Sequence, residues 1–343
     1  MTAPPVIVIH LFKTKTRAQI LQLLKTQKRP RGTKVYVGRY GINNEDAARI
    51  SAIPGVFYAP TFHLSLADTL KYLPKRRLPA AEAKKVDPAL AGAFPAGAKE
   101  LLPKVNPRAW GVELGRRFRD ELREKIRQGH KIETWQLDEI PPKCVTSPRA
   151  GDFRLFVGGV VRGLAEGRPK LGDKVLPGFV WVAEQALEGR GPLPGLPRLS
   201  PGIADVKFFW DDLNAGARGL VGEEYPEFRG SATAAGKARA RAHKALSAPG
   251  STSRQALAKK YIIGMTPGFH QPFKKSGLNG NVNGLKLDAV ARWREEFITA
   301  RCKAQRPIGY GMFSFDGAFN TRPDCVENAL SALRFAAQKH VTP

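Results

Sequence analysis

Short runs of β-branched and aromatic residues alternate along the chain with longer stretches whose apolar residues recur every three or four positions. The first pattern predicts buried strands, and the second predicts amphipathic helices. The predicted strands are Val6–Phe12, Lys34–Tyr40, Val56–Phe62, Ile132–Asp138, Gly178–Glu184, a run ending at Met265, and Ile308–Phe315. The predicted helices are Thr16–Gln27, Asn44–Ile53, Arg108–Gln128, Leu287–Gln305 and Asp324–Lys339.

A further strand is needed in the middle of the chain, and its position is open. Val206–Trp210 is the candidate, although its aromatic residues fit a helix equally well. Repeated strand–helix units predict a parallel sheet, either open and doubly wound or closed into a barrel. A strand count near eight, with one terminal helix after the last strand, favours the α/β class with a single (β/α)8 TIM-type barrel domain over residues 1–343.

The connections that follow strands are long, whereas those that lead into strands are short. The three longest are His63–Pro107, an insertion after the third strand, the Pro/Gly-rich loop Gln185–Ala204, and Pro267–Gly284. Because all three follow strands, we expect them on the C-terminal face of the barrel, where the chemistry of such barrels takes place.

The chain is strongly basic. Lys and Arg number 56 against 30 Asp and Glu, which gives a formal net charge of +26. Acidic residues are missing before Glu45 and between Glu227 and Asp288. A surplus of this kind attracts polyanions such as nucleic acid, an acidic polysaccharide or an anionic membrane surface. A solvated basic surface without a partner is the plainer interpretation.

Several classes of function lack their sequence signals. The chain has no phosphate-binding GxxxxGK[ST] loop, no GxGxxG, no GxSxG elbow and no HExxH. Its three cysteines form neither a disulfide framework nor a CxxC metal motif. The expectation is therefore a protein without cofactor or metal, and without a membrane span. The N-terminus does not have the form of a signal peptide; the protein would be secreted if a leader had been removed, and cytoplasmic otherwise.

The most informative run is Glu133–Pro141, which reads as a strand ending in two carboxylates, Asp138 and Glu139. Side chains alternate along a strand, so Thr134, Gln136 and Asp138 form one polar set. In a barrel such a set points toward the axis or into the mouth. A surface acidic pair is the alternative.

Asp-Glu at the end of the fourth strand, beside Trp135, resembles the acid-bearing strand of barrel glycoside hydrolases. The resemblance implies a carboxyl group there that protonates the glycosidic oxygen. Such chemistry needs a second, ionised carboxylate. Glu184 is the expected partner because its strand neighbours the fourth, Asp316 is the reserve, and Asp211 with Asp212 is a third option.

Other polar and aromatic residues near strand ends are candidates for substrate binding. They are Trp135, Gln136, Trp181, Trp210, Phe269, His270, Tyr310 and Asp316, with His10 at the first strand's exit. Aromatic faces can stack on sugar rings, although core packing is the commoner use of a strand aromatic.

The sequence thus predicts a glycoside hydrolase that cleaves a neutral or an anionic polysaccharide, with Asp138, Glu139 and Glu184 as its catalytic carboxylates. The competing hypothesis is a non-catalytic basic barrel that binds nucleic acid or an acidic envelope polymer. The position of the basic residues relative to the loop face distinguishes the two.

Overall fold

Strands and helices alternate through the part of the chain that the structure describes, as the sequence predicts. A computed structural model describes residues 5–11, 17–39, 41–64, 107–140, 150–167, 174–183, 205–224, 228–265, 284–314 and 323–341. The strands are β1 (Val6–Leu11), β2 (Lys34–Arg39), β3 (Val56–Tyr58), β4 (Thr61–Phe62), β5 (Gln136–Ile140), β6 (Gly178–Ala183), β7 (Ala217–Glu223), β8 (Tyr261–Met265) and β9 (Gly309–Ser314). The helices are α1 (Arg17–Thr26), α2 (Asn44–Ser51), α3 (Pro107–Arg127), α4 (Ala150–Ala165), α5 (Asp205–Gly216), α6 (Ala232–Ser247), α7 (Thr252–Ala258), α8 (Leu287–Ala304) and α9 (Pro323–Val341).

The strands form one parallel sheet in the order β3-β2-β1-β9-β8-β7-β6-β5-β4. Its two edges, β3 and β4, are separated by only Ala59 and Pro60 and act as two halves of one strand. The amide of Ala59 donates to Val37 on β2, and the carbonyl of Pro60 accepts from Gln136 on β5. The kinked strand β3–β4 therefore joins both edges, which makes the sheet a (β/α)8 TIM-type barrel of eight strands.

Side chains alternate between the inside of the barrel and the layer beneath the helices. On β1, Ile7 and Ile9 join the large core between sheet and helices, whereas Val8 belongs to a separate interior cluster. That interior cluster consists of Val8, Tyr36, Ala59, Phe179, Trp181, Val221, Ile262 and Phe313. The barrel is filled by large side chains, so a substrate can approach only at its ends.

Helices α3 and α4 approach each other unusually closely through glycines. A Cβ at Gly115 would lie 2.2 Å from the carbonyl oxygen of Val160, and one at Gly163 would lie 2.1 Å from that of Val112. Only hydrogen fits at such positions. The backbones of the two helices are therefore in direct contact. Strand β5 connects α3 to α4 in the sequence.

Two sequence expectations need correction, and the structure decides between two alternatives for a third segment. The fourth barrel strand, β5, begins at Gln136 rather than Ile132, so Glu139 lies within it. Val206–Trp210 lies in helix α5, and the sixth barrel strand is β7. Helix α4 was not predicted.

The three long connections all leave from the C-terminal end of the barrel. They begin after His63, Ala183 and Met265, which lie at the carboxyl ends of β4, β6 and β8. Most of each connection falls outside the described residues. Among the described helices, none is long and apolar enough to cross a membrane.

Candidate active site at the barrel mouth

Three strands bring polar side chains together at the C-terminal mouth. His10 is the last residue but one of β1, His63 follows β4 directly, and Asp138 is the third residue of β5. The residues are far apart in sequence, yet the strands are parallel and end at the same face of the barrel. The sequence predicted Asp138 and His10 near this face but gave His63 no role.

Asp138 is held between the two histidines. Its Oδ2 lies 2.6 Å from Nδ1 of His63, and its Oδ1 lies 3.7 Å from Nδ1 of His10. The shorter distance is that of a charge-assisted hydrogen bond, donated by the ring N–H to the carboxylate. The Asp138 side chain is 7% exposed and that of His63 is 48% exposed. The imidazole therefore forms the accessible part of this pair.

His10 lies behind Asp138 and is completely buried. Burial lowers the pKa of His10 to about 4, although the nearby Asp138 carboxylate acts in the opposite direction. Its ring packs edge-on against Phe313, with the ring centroids 4.5 Å apart, and lies 6.2 Å from the ring of Trp181. At neutral pH, His10 is an uncharged part of the floor of the site.

Gln136 and Trp181 lie in the barrel interior beneath Asp138 and His10. Gln136 is fully buried inside the barrel, where its Nε2 donates to the carbonyl of Ile9 at 3.1 Å. Its Oε1 accepts a hydrogen bond from Nε1 of Trp181 at 2.8 Å. Gln136 and Asp138 both lie on the inner side of β5. Gln136 and Trp181 close the barrel beneath Asp138, so they are placed to support the site.

Glu223, which sequence reasoning missed, places a second carboxylate at the mouth. It is the last residue of β7, and its side chain is 6% exposed. Glu223 lies on the same side of β7 as Gly219, which borders the interior side chains of Ile262 and Phe179, and as the interior residue Val221. One strand, β6, separates β7 from β5, so the two backbones are about 10 Å apart. The signal was the pair Glu223-Glu224 at the end of a strand, hidden because that strand was not recognised.

Two predicted sugar-binding aromatics lie on the outer side of the barrel wall. Trp135 is fully buried beneath the helices, and its Nε1 donates to the carbonyl of Leu176 at 2.6 Å. Tyr310 is also buried there, with its hydroxyl 3.4 Å from Sγ of Cys302. Burial raises the pKa of Tyr310 well above its usual value. Both rings stabilise the packing of helices on the sheet.

Asp211 and Asp212, the third option for a partner carboxylate, lie on helix α5 away from the mouth. Asp212 forms a bidentate ion pair with Arg108 on α3, with distances of 2.7 and 2.8 Å. Asp211 accepts a hydrogen bond from Ser253 on α7. Both carboxylates connect helices.

The remaining predicted site residues fall outside what the structure describes. These are Glu184, Phe269, His270 and Asp316, together with the side chain of Glu139. Within the described ranges, no group of three or more His, Cys, Asp or Glu side chains could hold a metal ion.

No protein-family model matches the chain, and no curated protein matches it in sequence. The solved structures that resemble it in fold include the following two. BT1044, solved as a selenomethionine-labelled Glu-to-Gln variant, is 12% identical, with 98% of this chain and 89% of that chain covered and a TM-score of 0.44. A fungal β-1,4-galactanase is 8% identical, with 90% of this chain and 83% of that chain covered and a TM-score of 0.41. Both are weak resemblances of fold.

Proposed function

We propose that the protein is a glycoside hydrolase that cleaves a polysaccharide at the C-terminal mouth of its barrel. The observation that supports this most is the position of Asp138. It lies on the inner side of β5, close to that strand's exit, and is hydrogen-bonded by His63 at the surface of the mouth. A largely buried carboxylate in contact with an accessible imidazole is suited to proton transfer.

Cleavage of a glycosidic bond requires two groups with opposite tasks. One gives a proton to the departing oxygen, and the other, in its basic form, assists the attack on the anomeric carbon. Glu223 is the described carboxylate that fits the first task, because it is nearly buried and faces the mouth. The hydrogen-bonded pair of Asp138 and His63 fits the second, since an N–H donated to a carboxylate favours the ionised form of that carboxylate. Glu184, Asp316 and Glu139 remain proposals for this site.

The test is Asp138→Asn, which keeps the shape of the side chain and removes its charge. We expect turnover on a cleavable polysaccharide to fall at least about a hundredfold, the low end for loss of acid–base catalysis. Release of reducing ends from a panel of neutral and acidic polysaccharides measures it. Glu133→Gln is the matched control, because the half-exposed Glu133 precedes β5 at its opposite end, near Lys34. Equal activity of Asp138→Asn and wild type, with both folded by circular dichroism, would remove the main support for the proposal.

Polyanion binding is the second candidate, and one feature favours it. Lys237, Arg241 and Lys244 form an exposed basic stripe on α6, at spacings of four and three residues. The stripe lies on the helical wall rather than at the barrel mouth. If the protein only binds polyanions, Asp138→Asn will bind them as the wild type does and neither protein will release reducing ends.

A further inference from the structure

We propose that His63 is the residue that accepts the proton from the attacking water, and that Asp138 acts through it as a positioning residue. The inference rests on the proposed function and deepens it, because it names the catalytic base of the same site. It also gives a role to a histidine that follows β4, where the sequence offered no motif.

Accessibility distinguishes the two members of the pair. The Asp138 side chain is 7% exposed, and its Oδ2 is held by Nδ1 of His63 at 2.6 Å. A water molecule or a sugar at the mouth therefore meets the half-exposed imidazole before it meets the carboxylate. A general base must come within hydrogen-bond reach of the proton it removes, and His63 is the better placed of the two.

The hydrogen bond also fixes the chemistry of the ring. When Nδ1 carries the hydrogen given to Asp138, the lone pair that accepts a proton is on Nε2. The carboxylate then stabilises the imidazolium that forms, as a carboxylate does for a catalytic histidine in other hydrolases. This arrangement needs a carboxylate held at Nδ1 and an accessible ring, and the geometry provides both.

Among the described residues, His10 of β1 faces the pair, with its Nδ1 3.7 Å from Oδ1 of Asp138, and Glu223 lies two strands away at the end of β7. His10 is buried behind Asp138 and uncharged at neutral pH, because burial lowers its pKa to about 4. It therefore brings no positive charge that would oppose protonation of His63. Glu223 supplies the acid on the other side of the mouth.

The resulting step is balanced. Nε2 of His63 takes a proton from water as the water oxygen forms a bond to the anomeric carbon. The glycosidic C–O bond breaks with its electron pair on the departing oxygen, and the carboxylic acid of Glu223 gives that oxygen a proton. Transfer of a proton from the His63 imidazolium to the Glu223 carboxylate, through solvent, restores both groups for the next turnover.

The test is His63→Ala in the full-length protein, assayed with and without added imidazole. We expect kcat to fall at least about a hundredfold and to recover in proportion to imidazole concentration, because the small base can occupy the vacated space. In the wild type, activity should rise with pH as His63 loses its second proton. In Asp138→Asn this rise should move to lower pH, because the charge that stabilises the imidazolium is gone. His130→Ala, remote from the mouth in the turn after α3, is the matched control.

A measurement on the ligand-free protein separates this inference from the proposed function. Nitrogen-15 NMR of the histidine rings, with the His63 signal identified by its loss in His63→Ala, should show that His63 keeps its second proton to higher pH in the wild type than in Asp138→Asn. Normal activity of His63→Ala, or a His63 titration that ignores Asp138, overturns the role of His63 and leaves the hydrolase proposal standing. The opposite outcome is also possible: the wild type cleaves none of the polysaccharides, but the His63 titration still shifts in Asp138→Asn. That outcome overturns the hydrolase proposal and leaves the coupling between His63 and Asp138 standing.

Discussion

Two adjacent glutamates, Glu223 and Glu224, point to opposite sides of the barrel wall and have different environments. Glu223 faces the mouth, whereas Glu224 faces outward and is fully buried against Arg301 of α8, whose Nη2 lies 2.9 Å from its Oε1. The hydroxyl of Tyr261 donates to the same carboxylate at 2.9 Å. Alternation along β7 and its continuation thus gives one carboxylate to the site and the other to a structural ion pair. The sequence alone could not assign them, because the two are chemically identical.

The buried cluster around Arg301 predicts a pH-dependent stability. His243 packs on Tyr261, donates from Nε2 to the carbonyl of Ala258 at 2.7 Å, and has a pKa lowered to about 4 by burial and by Arg301. The unfolded chain therefore binds more protons than the native state between pH 6.5 and 4. Stability that is complete above about pH 6.5 is lost as the pH falls through this window, by roughly 3 kcal/mol for this group.

His243→Phe isolates that contribution. The phenyl ring keeps the stacking on Tyr261 but cannot titrate, so the variant should lose less stability than the wild type between pH 7 and pH 4. Urea unfolding at both pH values measures the difference. An identical decrease in the two proteins would show that His243 does not couple folding to pH.

At the scale of elements, most of the barrel could be predicted from hydrophobic periodicity. Strands β1 and β2 and helix α3 differ from their predicted bounds by one residue, and Gly129 after α3 has the positive φ of +91° expected of a helix-ending glycine. The failures have physical causes. Phe208, Phe209 and Trp210 resemble a strand because strands favour aromatics, but here two of them serve as the buried face of α5.

Helix α4 was missed because its sequence conceals the helical pattern. Its four glycines are poor helix formers, and its apolar residues surround the helix instead of forming a stripe, since α3 and α5 both cover it.

The candidate site could be predicted only in part, because one of its two contacting residues has no signal in the sequence. Asp138 lies in a recognisable polar strand, whereas its contact with His63 depends on the pairing of β4 with β5, and the two residues are 75 positions apart in the sequence.

The close packing of α3 on α4 predicts a strong contrast between two glycines of α4. Gly163→Ala places a methyl group 2.1 Å from the carbonyl oxygen of Val112, so the helices must separate. We expect a loss of about 3 kcal/mol, the upper part of the usual range for overpacking. Gly158→Ala is the matched control, because its nearest neighbour is 3.3 Å away and alanine favours a helix by up to about 1 kcal/mol. Thermal unfolding of the two variants measures the contrast, and equal melting temperatures would contradict it.

At the scale of the whole molecule, the barrel separates two kinds of surface. The mouth carries Asp138, His63 and Glu223, and the three long connections start from the same end. The helical wall carries exposed cations, including the stripe on α6. A net charge of +26 attracts polyanions to the molecule as a whole, and the stripe provides a place where the attraction is concentrated. If the substrate is anionic, the wall would raise its local concentration near the mouth.

The last prediction concerns this wall. Wild-type protein should bind heparin, and its affinity should fall steeply between 50 and 200 mM salt, because counterions released from the polyanion drive the association. Replacing Lys237, Arg241 and Lys244 by Glu should weaken binding and flatten the salt dependence. The matched control replaces Lys25, Lys28 and Arg31 by Glu, which changes the net charge by the same amount. These three exposed residues lie at the end of α1 and just after it. An equal loss of heparin affinity in both triple variants would mean that the affinity depends only on the total charge of the protein. Absence of heparin binding at low salt would show that the basic surplus serves solvation alone.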